Sequence, residues 1–222
     1  MEVAVFKKGM QSLIKWRFER HAQEVPGRAE FGYDRDFAET ALAIDVLGKR
    51  DHPGVVQFPD NIMDTKLQSV LQVPMVDFEK TILALLAWRE MRHDMFIGMT
   101  AAAQVVANRA RAGWFEGNIY KNCVAKNVYP RMTAFGHPDT IRYPNAEDRQ
   151  FVLFLNMLDA IVEGTAKDNT AGALYYDQHA EGLELPTRAP WFVLNGQHTT
   201  CATIGKTIFW KEVAEKVPGV VN

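Results

Sequence analysis

The sequence predicts an α+β fold that is mainly helical. Two segments, one ending before Gly113 and one ending before Gly164, carry apolar residues at the three- and four-residue spacing of a packed helix. Near the C-terminal end, short runs of aromatic and β-branched residues follow glycine turns, as strands of a small sheet do. The length of 222 residues suits one domain, or one domain with an appendage.

Composition argues against several classes of partner. The formal net charge is -2, and neither a basic stripe nor a glycine-rich phosphate loop is present, so we expect no nucleic acid partner. No run of eighteen apolar residues occurs, which predicts no membrane insertion. Lysines at positions 7, 8 and 15 interrupt the first apolar stretch, so we expect no signal peptide and synthesis in the cytoplasm.

Residues 1–75 are predicted to form a helical region that packs on a core made by residues 76–222. This region offers no chemical motif and no repeat. Apolar spacing and turn residues predict helices over 6–22, 37–46 and 63–71, with an exposed loop over 51–60. We therefore expect the region to support the core or to shape one wall of a groove.

The stretch 78–113 is the one around which the chain is organised. It predicts two helices with a short break, the first burying one face and the second covering 100–111. Asp77 is the expected N-cap of the first helix, and Gly113 is the expected residue just beyond the second. Glu90 lies near the end of the first helix.

Glu90 is the candidate catalytic residue of this stretch. A carboxyl at the end of an apolar helix, held against a helix of small residues, is placed where loss of water raises its pKa. A raised pKa is what a general acid needs. The alternative is a solvated helix end, where Glu90 makes ion pairs with Arg89, Arg92 or His93.

The chain after Gly113 alternates short elements with one long helix. We expect a helix over 119–128, a loop or irregular strand over 129–137, and a strong helix over 145–164. A glycine turn at 168–172 then leads into a short strand, in which Tyr175 and Tyr176 point to opposite faces. Another strand is expected over 203–210.

The two cysteines leave two interpretations open. Cys123 and Cys201 could form one disulfide, or they could be two half-buried thiols. Neither has a histidine or cysteine at zinc spacing, so no metal site is predicted.

Three segments resemble the SleB-type cell-wall hydrolases. Glu90-Met91-Arg92-His93-Asp94, followed by Gly98 and by an alanine- and valine-rich helix that closes with Asn108-Arg109, is similar to the family's E-A-R-G-E opening. Asp168-Asn169-Thr170-Ala171-Gly172-Ala173-Leu174-Tyr175-Tyr176 resembles its D-P-T-x-G-A-L-Y motif, and residues 204–209 resemble its closing I-G-x-H-x-F. The resemblance covers residues 77–210, about two-thirds of the chain.

This resemblance implies a lysozyme-like or lytic-transglycosylase-like fold with a small antiparallel sheet. It implies cleavage of peptidoglycan glycan strands between N-acetylmuramic acid and N-acetylglucosamine, with Glu90 as general acid and base and with no cofactor. The resemblance favours a lytic transglycosylation, because that reaction needs only one acid from the protein. The substrate-binding residues that it suggests are Asp94, Thr133, Tyr175 and Tyr176.

The sequence departs from the family pattern in three places. Asp94 stands where the family has its second glutamate, and it would share one side with Glu90 if the helix persisted; it could instead pair with Arg92 or cap the next helix. Thr133 and Phe135 fit the family's Q-F-S/T segment only in part. Thr207 replaces a common histidine, while Trp191 follows Pro190 as in the family.

Two other functions stay open at the level of sequence. The first is a peptidase that cuts the peptide cross-link, although His93, His137, His179 and His198 share no zinc-binding spacing. The second is a non-catalytic virion or wall-binding protein, associated with other virion proteins. The expected site of action is the periplasmic wall, reached as a phage lysin would reach it.

Overall fold

The structure, a computed structural model, describes residues 1–24, 58–126, 128–134, 137, 139, 142–178 and 198–212. The described helices are α1 (Val3–Glu24), α2 (Thr65–Val70), α3 (Met75–Met91), α4 (Met95–Arg111), α5 (Ile119–Val124), α6 (Pro130–Thr133) and α7 (Arg149–Glu163). Short 3-10 turns lie at Arg92–Asp94 and Trp114–Gly117. The strands are β1 (Tyr175–Gln178), β2 (His198–Ile204) and β3 (Thr207–Glu212).

The N-terminal helix α1 packs on α2 and α3. Met10, Leu13 and Ile14 are buried, as their spacing predicts, and the indole Nε1 of Trp16 donates to Asp64 Oδ1 at 3.3 Å. The same Asp64 carboxylate caps α2 by accepting from the amides of residues 66 and 67. The helices predicted over 6–22 and 63–71 are therefore confirmed, with ends shifted by a few residues.

Helix α3 is the centre of the core. Residues 81–87 are all buried, so the helix is enclosed on every side, and the prediction of a single buried face is wrong. The reason is that α1, α4, α5, α6 and α7 all pack around it. Its N-cap is Pro74, whereas Asp77, the expected cap, lies inside the first turn.

The break between α3 and α4 is a 3-10 turn with one strained residue. Met95 has a φ of 56°, the left-handed region that side chains rarely adopt. Helix α4 begins there, five residues earlier than predicted, and Gly113 follows its C-cap with a φ of 83°. The predicted pair of helices with a short break is confirmed.

The middle of the chain differs from the expectation in detail. Residues 129–137 contain the short helix α6, which Pro130 opens, rather than a loop or strand alone. Helix α7 begins at Arg149 instead of 145 because Asp148 accepts from the amides of residues 150 and 151. Its predicted apolar face is buried: Phe151, Phe154, Leu155, Leu158 and Ile161.

The three strands form one antiparallel sheet in the order β1-β3-β2. Tyr176 is paired with Phe209, and Tyr175 with Trp210. The single strand predicted over 203–210 is in fact a hairpin, because Gly205, with a φ of 57°, turns the chain between β2 and β3. The mainly helical α+β fold with a small antiparallel sheet is thus confirmed.

Several predictions fall outside the described residues. These are the helix over 37–46, most of the loop over 51–60, Phe135, His179, and the Pro190-Trp191 pair. Within the described ranges, none of the helices has the length and apolarity needed to cross a bilayer. Cys123 and Cys201 are both free thiols, so the disulfide alternative is wrong.

Candidate active site

A cavity of about 330 Å³ opens beside the end of α3. Its volume falls within the range of small-molecule sites. The described residues that line it are Glu90, Arg109, Val128, Tyr129, Pro130, Arg131, His137, Tyr176 and Asp177. The cavity therefore joins the end of the central helix to helix α4, helix α6 and the first strand.

Glu90 lies at this cavity with only 6% of its surface exposed. Burial, which removes water from the carboxylate, raises the pKa of Glu90 to about 7. The charge of Arg131, the nearby Tyr176 hydroxyl and the Arg131 backbone N–H lower this pKa, while the charge of Asp139 raises it. The carboxyl can thus hold or release a proton near neutral pH.

Tyr176, rather than Tyr175, shares the cavity with Glu90. Its half-buried ring packs between those of Tyr129 and Phe209, at centroid distances of 6.5 and 5.9 Å. Its hydroxyl is near enough to Glu90 for each group to shift the pKa of the other, although it makes no hydrogen bond of normal geometry within the described chain. Burial is the main cause that raises the pKa of Tyr176, and the charge of Glu90 adds to it. The phenol therefore stays protonated.

Tyr175 lies on the other face of β1. Its ring packs edge-on against Trp114 and His198, at 5.3 and 4.6 Å, and its hydroxyl donates to Glu212 at 3.3 Å. Trp114 therefore closes the end of α4 by packing on Tyr175. The predicted alternation of the two tyrosines holds, and the structure identifies which of them faces the cavity.

The Asn108-Arg109 pair fixes the position of β1. Arg109 Nε donates to the Leu174 carbonyl at 2.6 Å, and Arg109 Nη1 donates to the Tyr129 hydroxyl at 2.6 Å. Asn108 Nδ2 donates to the Ala173 carbonyl at 3.2 Å and to Asp168 Oδ2 at 3.0 Å. The two motifs singled out in the sequence thus contact each other, and the buried Arg109 side chain serves as a hydrogen-bonding link between them.

Asp168 organises the turn that leads into β1. Its carboxylate accepts from the Thr170 amide at 2.8 Å, the Thr170 hydroxyl at 2.6 Å and the Gly172 amide at 2.8 Å. Burial alone would raise the pKa of Asp168, but these hydrogen bonds and that from Asn108 together lower it. The ionised carboxylate is therefore a structural part of this turn.

Arg131 connects the end of α3 with a buried carboxylate. Its Nη1 donates to the backbone carbonyls of Glu90 at 2.8 Å and Arg89 at 3.2 Å. Its Nε lies 3.8 Å from Asp139, whose other oxygen accepts from Arg92 Nη2 at 2.7 Å. Burial would raise the pKa of Asp139, but the contact with Arg92 and the charge of Arg131 lower it overall.

Asp94 lies away from the lining of this cavity. Helix α3 ends at Met91, so the helical geometry that would align Asp94 with Glu90 does not persist. The Asp94 carboxylate instead packs against Gly205 and accepts from the Thr207 hydroxyl at 3.5 Å. Arg92 pairs with Asp139, and Asp94 occupies the N-cap position of α4 without a capping hydrogen bond from its side chain.

Thr133 is buried and also lies outside the lining. Its hydroxyl donates to the Tyr129 carbonyl at 3.3 Å, within the α6 turn. Four lining residues were missed by sequence reasoning: Tyr129, Arg131, His137 and Asp177. Asp177 directly follows Tyr176, so the strand motif was the signal that could have identified it.

The described residues contain no group of three or more potential metal ligands. Neither thiol has a lowered pKa: burial raises the pKa of Cys123, with Glu79 adding to it, and burial is the main cause that raises the pKa of Cys201. Both cysteines are therefore protonated at neutral pH.

A helix-end carboxyl of raised pKa lies in a cavity beside which the small sheet packs. A family model described as Cell Wall Hydrolase matches residues 93–210, which is 118 of the 222 residues. The chain belongs to this family, and the matched segment begins three residues after Glu90. No curated protein and no solved structure matches the chain.

Proposed function

We propose that the protein cleaves the glycan strand of peptidoglycan between N-acetylmuramic acid and N-acetylglucosamine, with Glu90 as the acid. Membership of the cell wall hydrolase family supports a peptidoglycan-degrading enzyme. The observation that carries the finer proposal is the nearly buried Glu90 carboxyl at a cavity, with a pKa of about 7. Such a group is protonated often enough at neutral pH to donate to a leaving oxygen.

The reaction that needs least from the protein is a lytic transglycosylation. Glu90 gives its proton to the glycosidic oxygen, and the bond from that oxygen to the muramyl anomeric carbon breaks. The 6-hydroxyl of the same muramyl residue then bonds to the anomeric carbon, and its proton returns to Glu90. The products are a 1,6-anhydro muramyl end and a free N-acetylglucosamine end, so atoms and protons balance.

The neighbours of Glu90 suit both halves of this cycle. Burial favours the neutral acid before bond cleavage, while the Arg131 charge and backbone N–H and the Tyr176 hydroxyl support the carboxylate that forms afterwards. A pKa near 7 is the balance between these opposing effects. Tyr176 and Asp177 offer polar atoms to a sugar at the same cavity.

Replacing Glu90 by Gln tests the assignment. The amide keeps the size of the side chain but has no acidic proton, so we expect digestion of purified walls to fall at least about a hundredfold. Asp94→Asn is the matched control, because Asp94 does not line the cavity. Lysis by the Glu90→Gln variant at the parental rate would refute the role of Glu90.

Mass spectrometry of the digested wall separates the remaining alternatives. Anhydro-muramyl ends support transglycosylation, reducing muramyl ends support hydrolysis, and new peptide termini support the peptidase alternative. The two protonated thiols do not favour a cysteine peptidase, since the thiolate is the nucleophile in such enzymes. An unchanged wall would support the non-catalytic alternative.

The biological setting is a separate proposal. The sequence resembles the lysins of enveloped double-stranded RNA bacteriophages, and we propose that the chain acts on the periplasmic wall of a host as such a lysin. Immunoblots of purified particles and of lysing cells would test it. Detection in neither sample would contradict this setting without bearing on the chemistry at Glu90.

A further inference from the structure

Three arginines converge on one buried carboxylate behind the cavity wall. The Asp139 oxygens lie 2.7 Å from Arg92 Nη2, 3.4 Å from Arg142 Nη1 and 3.8 Å from Arg131 Nε. Only 8% of the Asp139 side chain is exposed. One buried negative charge therefore faces three positive charges, of which those of Arg92 and Arg131 are mostly covered and that of Arg142 is more than half exposed.

Two more arginines join this group through Tyr143. Arg17 Nη1 donates to the Tyr143 hydroxyl at 3.0 Å, and the Arg89 guanidinium lies 5.4 Å from the centre of the Tyr143 ring. Arg89 is fully buried, and this burial lowers its pKa to about 10, so it stays charged at neutral pH. We call the five residues the arginine cluster: Arg17, Arg89, Arg92, Arg131 and Arg142.

The arginine cluster carries a local excess of positive charge. Three of its guanidinium groups lie within 4 Å of the Asp139 carboxylate, and the other two contact Tyr143. The whole sequence has a net charge of -2, so this excess is a local feature and not a property of the composition. Poorly solvated charges of one sign attract an opposite charge more strongly than exposed charges do.

The arginine cluster reaches the cavity through Arg131, and His137 lies beside it in the lining. His137 Nδ1 accepts from the Asp139 backbone N–H at 3.2 Å, so Nε2 is the ring nitrogen that remains as a donor. The carboxylic acids in the described lining are Glu90 and Asp177. When Glu90 is protonated, or replaced by Gln, the two arginines of the lining, Arg109 and Arg131, face one carboxylate, Asp177.

We propose that Arg131 and His137 form a subsite for a carboxylate carried by the muramyl residue of the substrate, with the rest of the arginine cluster supplying the attracting field. This inference rests on the proposed function and names the substrate feature that the site recognises. Glycan that carries muramyl carboxylates would be held with its linkage at Glu90, whereas a neutral polymer of N-acetylglucosamine would not.

Binding measurements in a Glu90→Gln background test this subsite without involving the titration of Glu90. Three ligands are compared by calorimetry: wall glycan fragments with peptide stems, the same fragments after an amidase has exposed the lactyl carboxylate, and neutral N-acetylglucosamine oligomers. Arg131→Gln is added to the background. Lys7→Gln is the control, because it removes one positive charge from a residue that does not line the cavity.

We expect Arg131→Gln to weaken binding of at least one carboxylated ligand by about tenfold or more, as loss of a charge-assisted contact does. The affinity for the neutral oligomer should change less than twofold. In 0.5 M salt, Arg131→Gln should weaken the binding of carboxylated ligands by a smaller factor. If affinity falls only for the amidase-treated ligand, the group bound at the subsite is the lactyl carboxylate. If affinity falls only for the intact ligand, the group bound there is a carboxylate of the peptide stem. Equal loss for the neutral oligomer, no loss at all, or no binding of either carboxylated ligand would overturn the proposal.

Arg142→Gln keeps the test decisive if Arg131→Gln fails to fold. The Arg142 side chain is 57% exposed and does not line the cavity, so its loss removes charge without removing a carbonyl contact at α3. We expect Arg142→Gln to weaken the binding of carboxylated ligands, and not of the neutral oligomer, by about two- to threefold, because the positive field at the cavity becomes weaker. Unchanged selectivity would overturn the proposal. Wall digestion by the parental protein, measured separately, reports on the proposed function itself.

Discussion

Glu90 lies one residue before the end of α3, where the helix presents its negative end. Burial there disfavours the ionised carboxyl and raises the pKa to about 7. If the protonated form is the catalyst, kcat/KM should fall as pH rises through about 7. A pH profile on solubilised wall fragments measures this. An activity that stays constant up to pH 9 would contradict a proton donor of this pKa.

The same pKa predicts a stability change in Glu90→Gln. Below the usual glutamate pKa of 4.5 both folded and unfolded chains are protonated, so the variant should match the parent. As pH rises from about 4.5 to about 7, the unfolded chain ionises this carboxyl while the folded chain keeps it protonated, so the parent loses up to roughly 3 kcal/mol that the amide does not lose. Urea unfolding at pH 4 and pH 8 measures the difference. Equal stability at pH 8 would mean that the carboxyl is hydrated.

The two tyrosines of β1 provide a matched pair at the residue scale. The Tyr176 hydroxyl lowers the pKa of Glu90, so Tyr176→Phe should move the fall in activity to higher pH. Tyr175→Phe removes a hydroxyl that faces Glu212 on the opposite side, so the pH profile should stay in place. A shift in both variants, or in neither, would contradict the placement of Tyr176 beside Glu90.

Sequence reasoning found the acid but not its surroundings. Glu90 was predicted because a helix-end carboxyl follows a regular apolar pattern that can be read without knowing the fold. Arg131 and His137 were missed because their role depends on how a short irregular segment meets the end of α3. Asp94 was expected near Glu90 from helical spacing, which the 3-10 turn at 92–94 interrupts.

At the scale of elements, the 168–172 turn holds β1 against α4. Asp168→Ala removes the acceptor of four hydrogen bonds and should cost about 1–3 kcal/mol of unfolding free energy. Activity should also fall, since β1 carries Tyr176. The lowered pKa means that this contribution is present above about pH 4 and is lost as pH falls through the folded value.

Asp148→Ala is the control for that prediction. It removes the N-cap of α7, which should cost about 1 kcal/mol, but α7 lines no part of the cavity in the described chain. Activity at a temperature well below unfolding should therefore survive in Asp148→Ala and decline in Asp168→Ala. Equal activities would show that the turn does not position β1.

The β2–β3 hairpin packs on the turn between α3 and α4. Gly205→Ala places a Cβ against the Asp94 carboxylate at a φ of 57°, so strain and collision combine to cost about 2–3 kcal/mol. Gly172→Ala has a φ of 81° but nothing within 4 Å, so strain alone should cost about 1 kcal/mol. Melting temperatures compare the two variants. Adding Asp94→Ala should restore part of the stability that Gly205→Ala loses, and none of the stability that Gly172→Ala loses. Equal losses without rescue would rule out the contact.

Element types were predicted better than element limits. The caps at Pro74 and Asp148 moved helix starts because capping depends on which amides the fold leaves unpaired. The hairpin was taken for one strand because residues 203–210 carry strand-forming residues on both sides of Gly205. Helix α3 was expected to have an exposed face because its sequence does not show how many helices surround it.

At the scale of the whole molecule, helix α1 is packed into the same core as α3 and α7. Phe6 is fully buried, and its ring meets Phe151 edge-on at 4.9 Å. Phe6→Ala should therefore lower the free energy of unfolding by about 3–5 kcal/mol within a single transition. Tryptophan fluorescence and far-UV circular dichroism during denaturation measure this, with Lys7→Gln as control. A separate early transition would show that residues 1–75 fold independently.

The contact between Glu90 and Tyr176 has a consequence for the newly made chain. The two residues are far apart in sequence, and the phenol that covers the acid belongs to a strand paired with β3 near the C-terminal end of the described chain. Before that strand pairs, Glu90 would be hydrated and would keep an ordinary carboxyl pKa. If Glu90 is the catalytic acid, the nascent chain would therefore stay inactive until β1 and β3 have paired.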